Sequence, residues 1–148
     1  MIFNSKRRTT SNRIQVKKHF SQMDNTELKN CATLLRNCLR QNRLETSEHA
    51  QDKLQAHLNI NALVGMIFKE QNLDYVIEYN ETTRHNHTSH RVLVRHPKKQ
   101  VVGNYLSNLF LVIDVDNGRI VTAYYNKVTD NHKSIDFSYY NKNLQINV

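Results

Sequence analysis

Apolar positions along the chain follow two periods, and the change falls near residue 72. Before it, apolar residues recur every three or four positions. Leu28, Cys31, Ala32, Leu35, Cys38 and Leu39 form one such stripe, the pattern of a helix that buries a single face. Asp24 stands just ahead of it with Glu27 three residues on, the pairing that closes a capping box. A second helix is predicted from Thr46 or Ser47 to about Leu58, burying Ala50, Leu54 and Leu58. Asn59-Ile60-Asn61 supplies a break and a new cap. A third helix, from Ala62 to about Lys69, buries Leu63, Val64, Ile67 and Phe68.

After residue 72 the period becomes two. Tyr75 to Tyr79 and Arg91 to Arg95 read as strands, with Pro97 ending the second. Leu109 to Val115 is almost wholly apolar, as expected of a central strand covered on both faces. Asp116-Asn117-Gly118 is a hairpin turn and Arg119 to Tyr125 the returning strand. Ile135 to Tyr140 reads as a further edge strand. The fold class predicted is α+β: N-terminal helices followed by an antiparallel meander of about four to five strands. At 148 residues the chain is sized for one domain over 24–148, helical over 24–71 and sheet over 72–148. Residues 1–23 carry no acidic group and little periodicity, and read as a basic arm, flexible or weakly helical.

Charge sharpens this picture. The net charge is +8, and all of the excess lies in residues 1–44. Ten basic residues there (Lys6, Arg7, Arg8, Arg13, Lys17, Lys18, Lys29, Arg36, Arg40 and Arg43) face only Asp24 and Glu27. Residues 45–148 hold eleven of each sign. Such asymmetry points to a polyanionic partner, RNA ahead of DNA. Lys98 and Lys99 join the arm and the first helix as expected nucleic-acid contacts. The longest apolar run, Leu109 to Ile113, is too short to cross a bilayer, and the first ten residues contain no apolar core of a secretory signal. The chain is therefore expected to be cytoplasmic, without a membrane partner. Cys31 and Cys38 lie two helical turns apart on the apolar face, roughly 10 Å, and read as reduced core residues.

Several segments could carry chemistry. His49 and Lys53 stand four residues apart on the second helix, with His57 one turn further, away from its apolar side. A histidine beside a lysine can move a proton and hold a phosphate charge. Arg91 and Arg95 share one face of their strand, where guanidinium forks suit a scissile phosphate. Ile120, Thr122, Tyr124 and Asn126 alternate onto one face and offer a hydroxyl, a phenol and an amide. The loop from Arg84 to Lys99 holds five basic residues, four histidines (His85, His87, His90 and His96) and no acid. It reads as a mobile RNA-facing loop in preference to a metal site, because H-x-H-x-x-H lacks zinc spacing and no thiolate or carboxylate joins it. No glycine-rich phosphate loop, nucleophile elbow or compact acidic cluster is present, so no metal or cofactor is expected.

Taken together these segments resemble the barnase–EndoU–colicin–RelE-like ribonuclease superfamily, in its phage-borne and polymorphic-toxin branches. The resemblance is carried by Thr46-Ser47-Glu48-His49-Ala50, Tyr75-Val76-Ile77-Glu78-Tyr79-Asn80 and Arg91-Val92-Leu93-Val94-Arg95. The fourth segment is Val112-Ile113-Asp114-Val115, running through its turn into Ile120-Val121-Thr122-Ala123-Tyr124. The basic arm and the first helix lie outside it. By that resemblance His49 matches the acid/base histidine, Lys53 or Arg91 and Arg95 the basic group, and Thr122 with Tyr124 the hydroxyl pair. His132 is an additional candidate.

The function expected is a metal-independent endoribonuclease, toxin-like or phage-encoded. His49 or His132 would take the proton of a ribose 2′-OH as it attacks its own phosphorus. Arg91, Arg95 and Lys53 would stabilise the developing charge, and a second histidine or Tyr124 would protonate the leaving oxygen. A potent enzyme of this kind implies an antidote or a host protein as partner. The alternative is a non-catalytic nucleic-acid-binding or host-inhibitory protein of a mobile element, using the same basic surfaces.

Overall fold

The period-two stretches pair into one mixed sheet. The computed structural model describes residues 13–54, 58–129 and 140–148, with Lys53 described by its backbone alone. The described strands are β1 (Ile14–His19), β2 (Glu45–Thr46), β3 (Val76–Arg84), β4 (His87–Arg95), β5 (Gln100–Val102), β6 (Tyr105–Asp114) and β7 (Arg119–Lys127). The described helices are α1 (Asn25–Gln41), α2 (Glu48–Lys53) and α3 (Ile60–Lys69), with a 3-10 turn at Phe20–Gln22. Across the sheet the order is β1-β3-β4-β6-β7-β2, and β5 pairs with the beginning of β6. β3, β4, β6 and β7 are the expected antiparallel meander, and the class is α+β. Among the described residues no helix is long and apolar enough to cross a membrane.

Two strands depart from the expectation. Ile14–His19, assigned by sequence to the basic arm, zips antiparallel onto β3, so the described chain opens on a strand and not on a helix. Its polar residues fall on both faces, which hides the period. β2 is two residues long and pairs parallel with β7, which makes the sheet mixed. So short a strand has no period to read.

α1 begins where the capping box places it. Asp24 accepts from the Glu27 N–H at 2.8 Å, and Glu27 accepts from the Asp24 N–H at 3.3 Å. The helix leads from one edge strand to the opposite one. Its seventeen residues give about 25 Å at ~1.5 Å per residue, and five inter-strand gaps of ~4.8 Å span about 24 Å. Cys31, Leu35 and Cys38 of α1 and Leu63 and Ile67 of α3 share one core with the covered sheet face. On that face Tyr79, Val92, Ile113 and Ile120 lie in adjacent register, with Val76, Val94, Leu111 and Ala123 one step along. The chain turns from β6 to β7 through Gly118, at φ +73°, where an added Cβ would come within 2.8 Å of Asn42 Cβ. Only glycine lets the end of α1 dock there.

α2 is shorter than predicted. It ends at Lys53, where the Leu54 N–H closes onto the Ala50 and Gln51 carbonyls. Leu54 and Leu58 still pack against the core, and residues 55–57, including His57, lie outside the described residues. α3 starts two residues early, at Ile60, because Asn59 caps it by accepting from the Ala62 N–H at 2.9 Å. Phe68, predicted buried, is 36% exposed on its last turn.

Of the cations assigned to nucleic acid by sequence, Lys18 serves the fold instead, and Arg36 commits one of its donors to it. Lys18 points into the covered side, 4% exposed, and donates to Glu27 at the start of α1 and to the Leu144 carbonyl at 3.0 Å. It ties β1, α1 and the C-terminal segment together. Arg36 donates from Nε to the Ile67 carbonyl at 2.8 Å and joins α1 to the end of α3. Both cysteines are free and buried. Burial pushes both thiols up, Cys31 to about 12 with the Glu27 charge adding to it.

Replacing Lys18 by Met leaves the Glu27 carboxylate without its partner and is expected to cost about 3 kcal/mol in urea unfolding. A variant that unfolds at the parental urea concentration would put Lys18 back at the surface. Native protein at pH 8 should leave both thiols unmodified by a thiol reagent, with two reacting on unfolding.

Candidate functional site on the polar face of the sheet

The face opposite the helices carries the other half of each strand's alternation, and it is polar. One register row joins Gln15, Thr82 and Ser89. The next joins Lys17, Asn80, Arg91 and Asp114. A third joins His19, Glu78, Leu93, Val112 and Thr122, and a fourth Arg95, Phe110 and Tyr124. A bulge at Val121, where Val112 pairs Thr122 but Ile113 pairs Ile120, shifts the β7 alternation by one. Ile120 therefore enters the core while Thr122 and Tyr124 stay on the polar face, which corrects the expectation that all three share one side.

The centre of this face is a hydrogen-bonded group that sequence reading missed. Glu78, 7% exposed, accepts from the Tyr140 hydroxyl and lies 3.8 Å from Lys17 Nζ. Tyr140 is held there by a parallel bridge to Lys17, with the Asn141 N–H donating to the Lys17 carbonyl at 2.7 Å. Its ring lies edge-on to His19 at 6.0 Å, and His19 Nδ1 is 2.8 Å from Ser21 Oγ. Tyr124 stacks on Phe110 at 5.4 Å. Burial, and then the Glu78 charge, push the Tyr124 phenol up to about 12. Burial and the hydrogen bond to Glu78 push Tyr140 up as well. The Glu78, Asn80 and Thr82 alternation was a usable signal, since it continues the β3 pattern past Tyr79. Tyr140 gave none.

At the β3–β4 end the face opens into a pocket of about 420 Å³ lined by Arg13, Thr82, Arg84, His85, His87, Ser89, Arg91 and Val121. The segment expected to be a mobile loop is here a tight hairpin. Arg84 pairs His87 across a two-residue turn in which His85 and Asn86 have φ of 53° and 64°, the mirror-image turn that suits twisted antiparallel strands. Among the described residues, three arginines and two histidines line the pocket without a carboxylate. Arg91 Nε is buried there with no hydrogen-bond partner among the described residues. Burial lowers the Arg91 pKa, with the Arg13 and Arg84 charges adding to the effect and Asp114 opposing it. An anion in this pocket would satisfy Nε and offset the like-charge repulsion.

The four loop histidines separate by environment. His85 and His87 face the pocket. His90 pairs with Asp116 at 3.1 Å. His96 is 2% exposed, bonded to the Asn59 carbonyl and the Lys98 N–H at 3.0 Å each. Of the residues expected to be catalytic, the structure brings Arg91, Thr122 and Tyr124 onto one face. It separates Arg95, whose guanidinium turns to Asp74 at 3.3 Å about 13 Å along the strand from Arg91. His49 is exposed on α2, and no hydrogen bond or ion pair among the described residues joins it to the polar face. The Lys53 side chain, His132 and the basic residues Lys6, Arg7 and Arg8 lie outside the described residues. Arg13 and Lys17 belong to the polar face. Arg40 and Arg43 are exposed on the helix side or beyond its end, and Lys98 and Lys99 are exposed past β4. Among the described residues no three His, Cys, Asp or Glu side chains converge as a metal centre requires.

The neutral phenol is the form this face favours. Its contribution to stability is whole below about pH 10, the ordinary tyrosine value, and is lost as pH rises through the folded value. The absorbance difference between the parent and Tyr124→Phe should therefore show no phenolate at pH 10. A half-ionised Tyr124 at that pH would mean an open, wet face.

Compared with known proteins, the chain matches no protein-family model, no curated protein and no solved structure.

Proposed function

We propose that the polar face binds RNA and that the chain is a metal-independent endoribonuclease of the kind its segments resemble. The observation that supports this most is the pocket at Arg91: among the described residues, a cationic recess without a carboxylate, with one guanidinium nitrogen buried and unpartnered. A scissile phosphate fits this chemistry, because Arg91, Arg84 and Arg13 can share its oxygens and the charge that develops on them. His85 and His87 take the proton-transfer roles first assigned to His49. One accepts the proton of the ribose 2′-OH as that oxygen bonds to phosphorus. The other protonates the 5′-oxygen as its bond to phosphorus breaks, leaving a 2′,3′-cyclic phosphate. Thr122 and Tyr124 lie one to two rows away and serve to position neighbouring nucleotides. A potent activity of this sort calls for an antidote, and a protein presenting carboxylates to the arginines would suit the pocket.

One observation favours a binding protein without turnover. Among the described residues, neither His85 nor His87 is held by a hydrogen bond, whereas acid/base histidines are commonly oriented by a partner.

Labelled RNA incubated with the protein in EDTA should be cut to fragments with cyclic-phosphate ends. Arg91→Ala should slow cleavage by about 10²-fold, His85→Ala with His87→Ala should abolish it, and His49→Ala should match the parent. Intact RNA that is nevertheless retarded on a gel in a salt-sensitive way would leave the binding reading standing.

A further inference from the structure

On the far side of the molecule from this face, α1 and α3 leave a groove of about 550 Å³ between their outer surfaces. Its cations are Lys29, Arg36 and Arg40 on α1 and Lys69 on α3, and the one acid among the described lining residues is Glu70. None of these five joins a salt bridge among the described residues. Arg36 spends one donor on the Ile67 carbonyl, which orients its fork and leaves four N–H donors. Arg36 and Arg40 lie about 6 Å apart along the helix, close to the step between successive phosphates of an extended strand.

The groove also holds Phe68, the exposed aromatic that the helical pattern had assigned to the core. The Arg40 guanidinium sits over its ring at 5.5 Å. A phenyl ring with a stacked guanidinium is a surface on which an unpaired base stacks without regard to its identity. Helix C-termini attract single cations, but that does not account for an exposed ring set among four of them.

The groove does not end at α3. Lys69 and Glu70 also line the adjoining cleft of about 600 Å³, whose other wall carries Arg95, Lys98 and Lys99. Arg95 belongs to the register row of Phe110 and Tyr124, on the polar face. A band of cations, interrupted by Glu70 and by the Arg95–Asp74 pair, thus runs from the helix side, around the end of β4, to the row two steps from Arg91.

We infer that the α1–α3 groove is a second binding site, for the backbone and one stacked base of single-stranded RNA whose continuation enters the polar face. The inference rests on the reading of that face as an RNA site. The groove holds the strand by phosphate contacts and by Phe68, so it acts only on RNA long enough to pass around the end of β4.

The test is fluorescence anisotropy with labelled oligouridylates of four and of twelve nucleotides, across a range of salt. Arg40→Glu with Lys69→Glu should weaken binding of the longer RNA at least tenfold. It should also make the salt dependence shallower by about 1.4 in slope, two contacts at ~0.7 each, while the four-nucleotide RNA binds as before. Phe68→Ala should weaken the longer RNA with the slope kept, and circular dichroism of each variant shows whether its fold is intact. Parental affinity of both folded variants for the longer RNA would overturn the groove. The polar-face reading fails separately, when Arg91→Ala leaves binding of the four-nucleotide RNA unchanged.

Discussion

Cys31, Leu35 and Cys38 of α1 lie in one apolar layer with Tyr79, Val92 and Ile113 of the sheet, and the other elements take their positions from that layer. A seventeen-residue helix is about as long as six strands are wide, so α1 carries the chain from β1 at one edge to β2 at the other in a single pass. Its two ends are locked differently. At the start, Glu27 is held by the capping box and by the buried Lys18 ammonium. At the finish, Asn42 packs against Gly118, where no other residue would leave room. These contacts join edge strand β1 and the turn into β7 to the same helix.

Because the helices claim one face, the polar half of every strand is left to the other. That face is not simply wet. Glu78, Asn80, Thr82 and Asp114 are each buried, and a buried polar group must find a partner or bear a desolvation cost. Most do: Thr82 donates to Asn80, Glu78 accepts from Tyr140, and Asp114 takes the Asp116 N–H. Among the described residues of this face, Arg91 Nε does not. In a surface otherwise well satisfied, an unpartnered donor in a cationic recess is where an anion gains most.

The distribution of cations follows the same division. Lys18 is consumed by the core, and part of Arg36 goes to the contact between helices. Arg13, Arg84 and Arg91 line the hairpin pocket, and Lys29, Arg36, Arg40 and Lys69 line the groove on the helix side. Burial thus separates a cation that reaches a carboxylate and a carbonyl inside, Lys18, from those left in recesses open to a ligand.

Local pattern in the sequence determined α1 with its capping box, α3 with its core residues Leu63 and Ile67, the apolar strand β6 and the turn into β7. Each depends on residues within about one helical turn or one hairpin of each other, so period and caps suffice. That Arg91 shares a face of its strand with Arg95, and Thr122 one with Tyr124, was legible for the same reason; that both fall on one face of the sheet was not. Tertiary structure alone decided the rest. The Val121 bulge sends Ile120 inward, the four histidines of one short segment part into pocket, a hydrogen bond to Asp116 and core, and Tyr140 reaches Glu78 across 62 residues. It also made Lys18 a structural cation, engaged one donor of Arg36 between the helices and left Phe68 exposed. Those outcomes depend on strand register and on which edge the chain ends meet, and neither leaves a trace in the spacing of neighbouring residues.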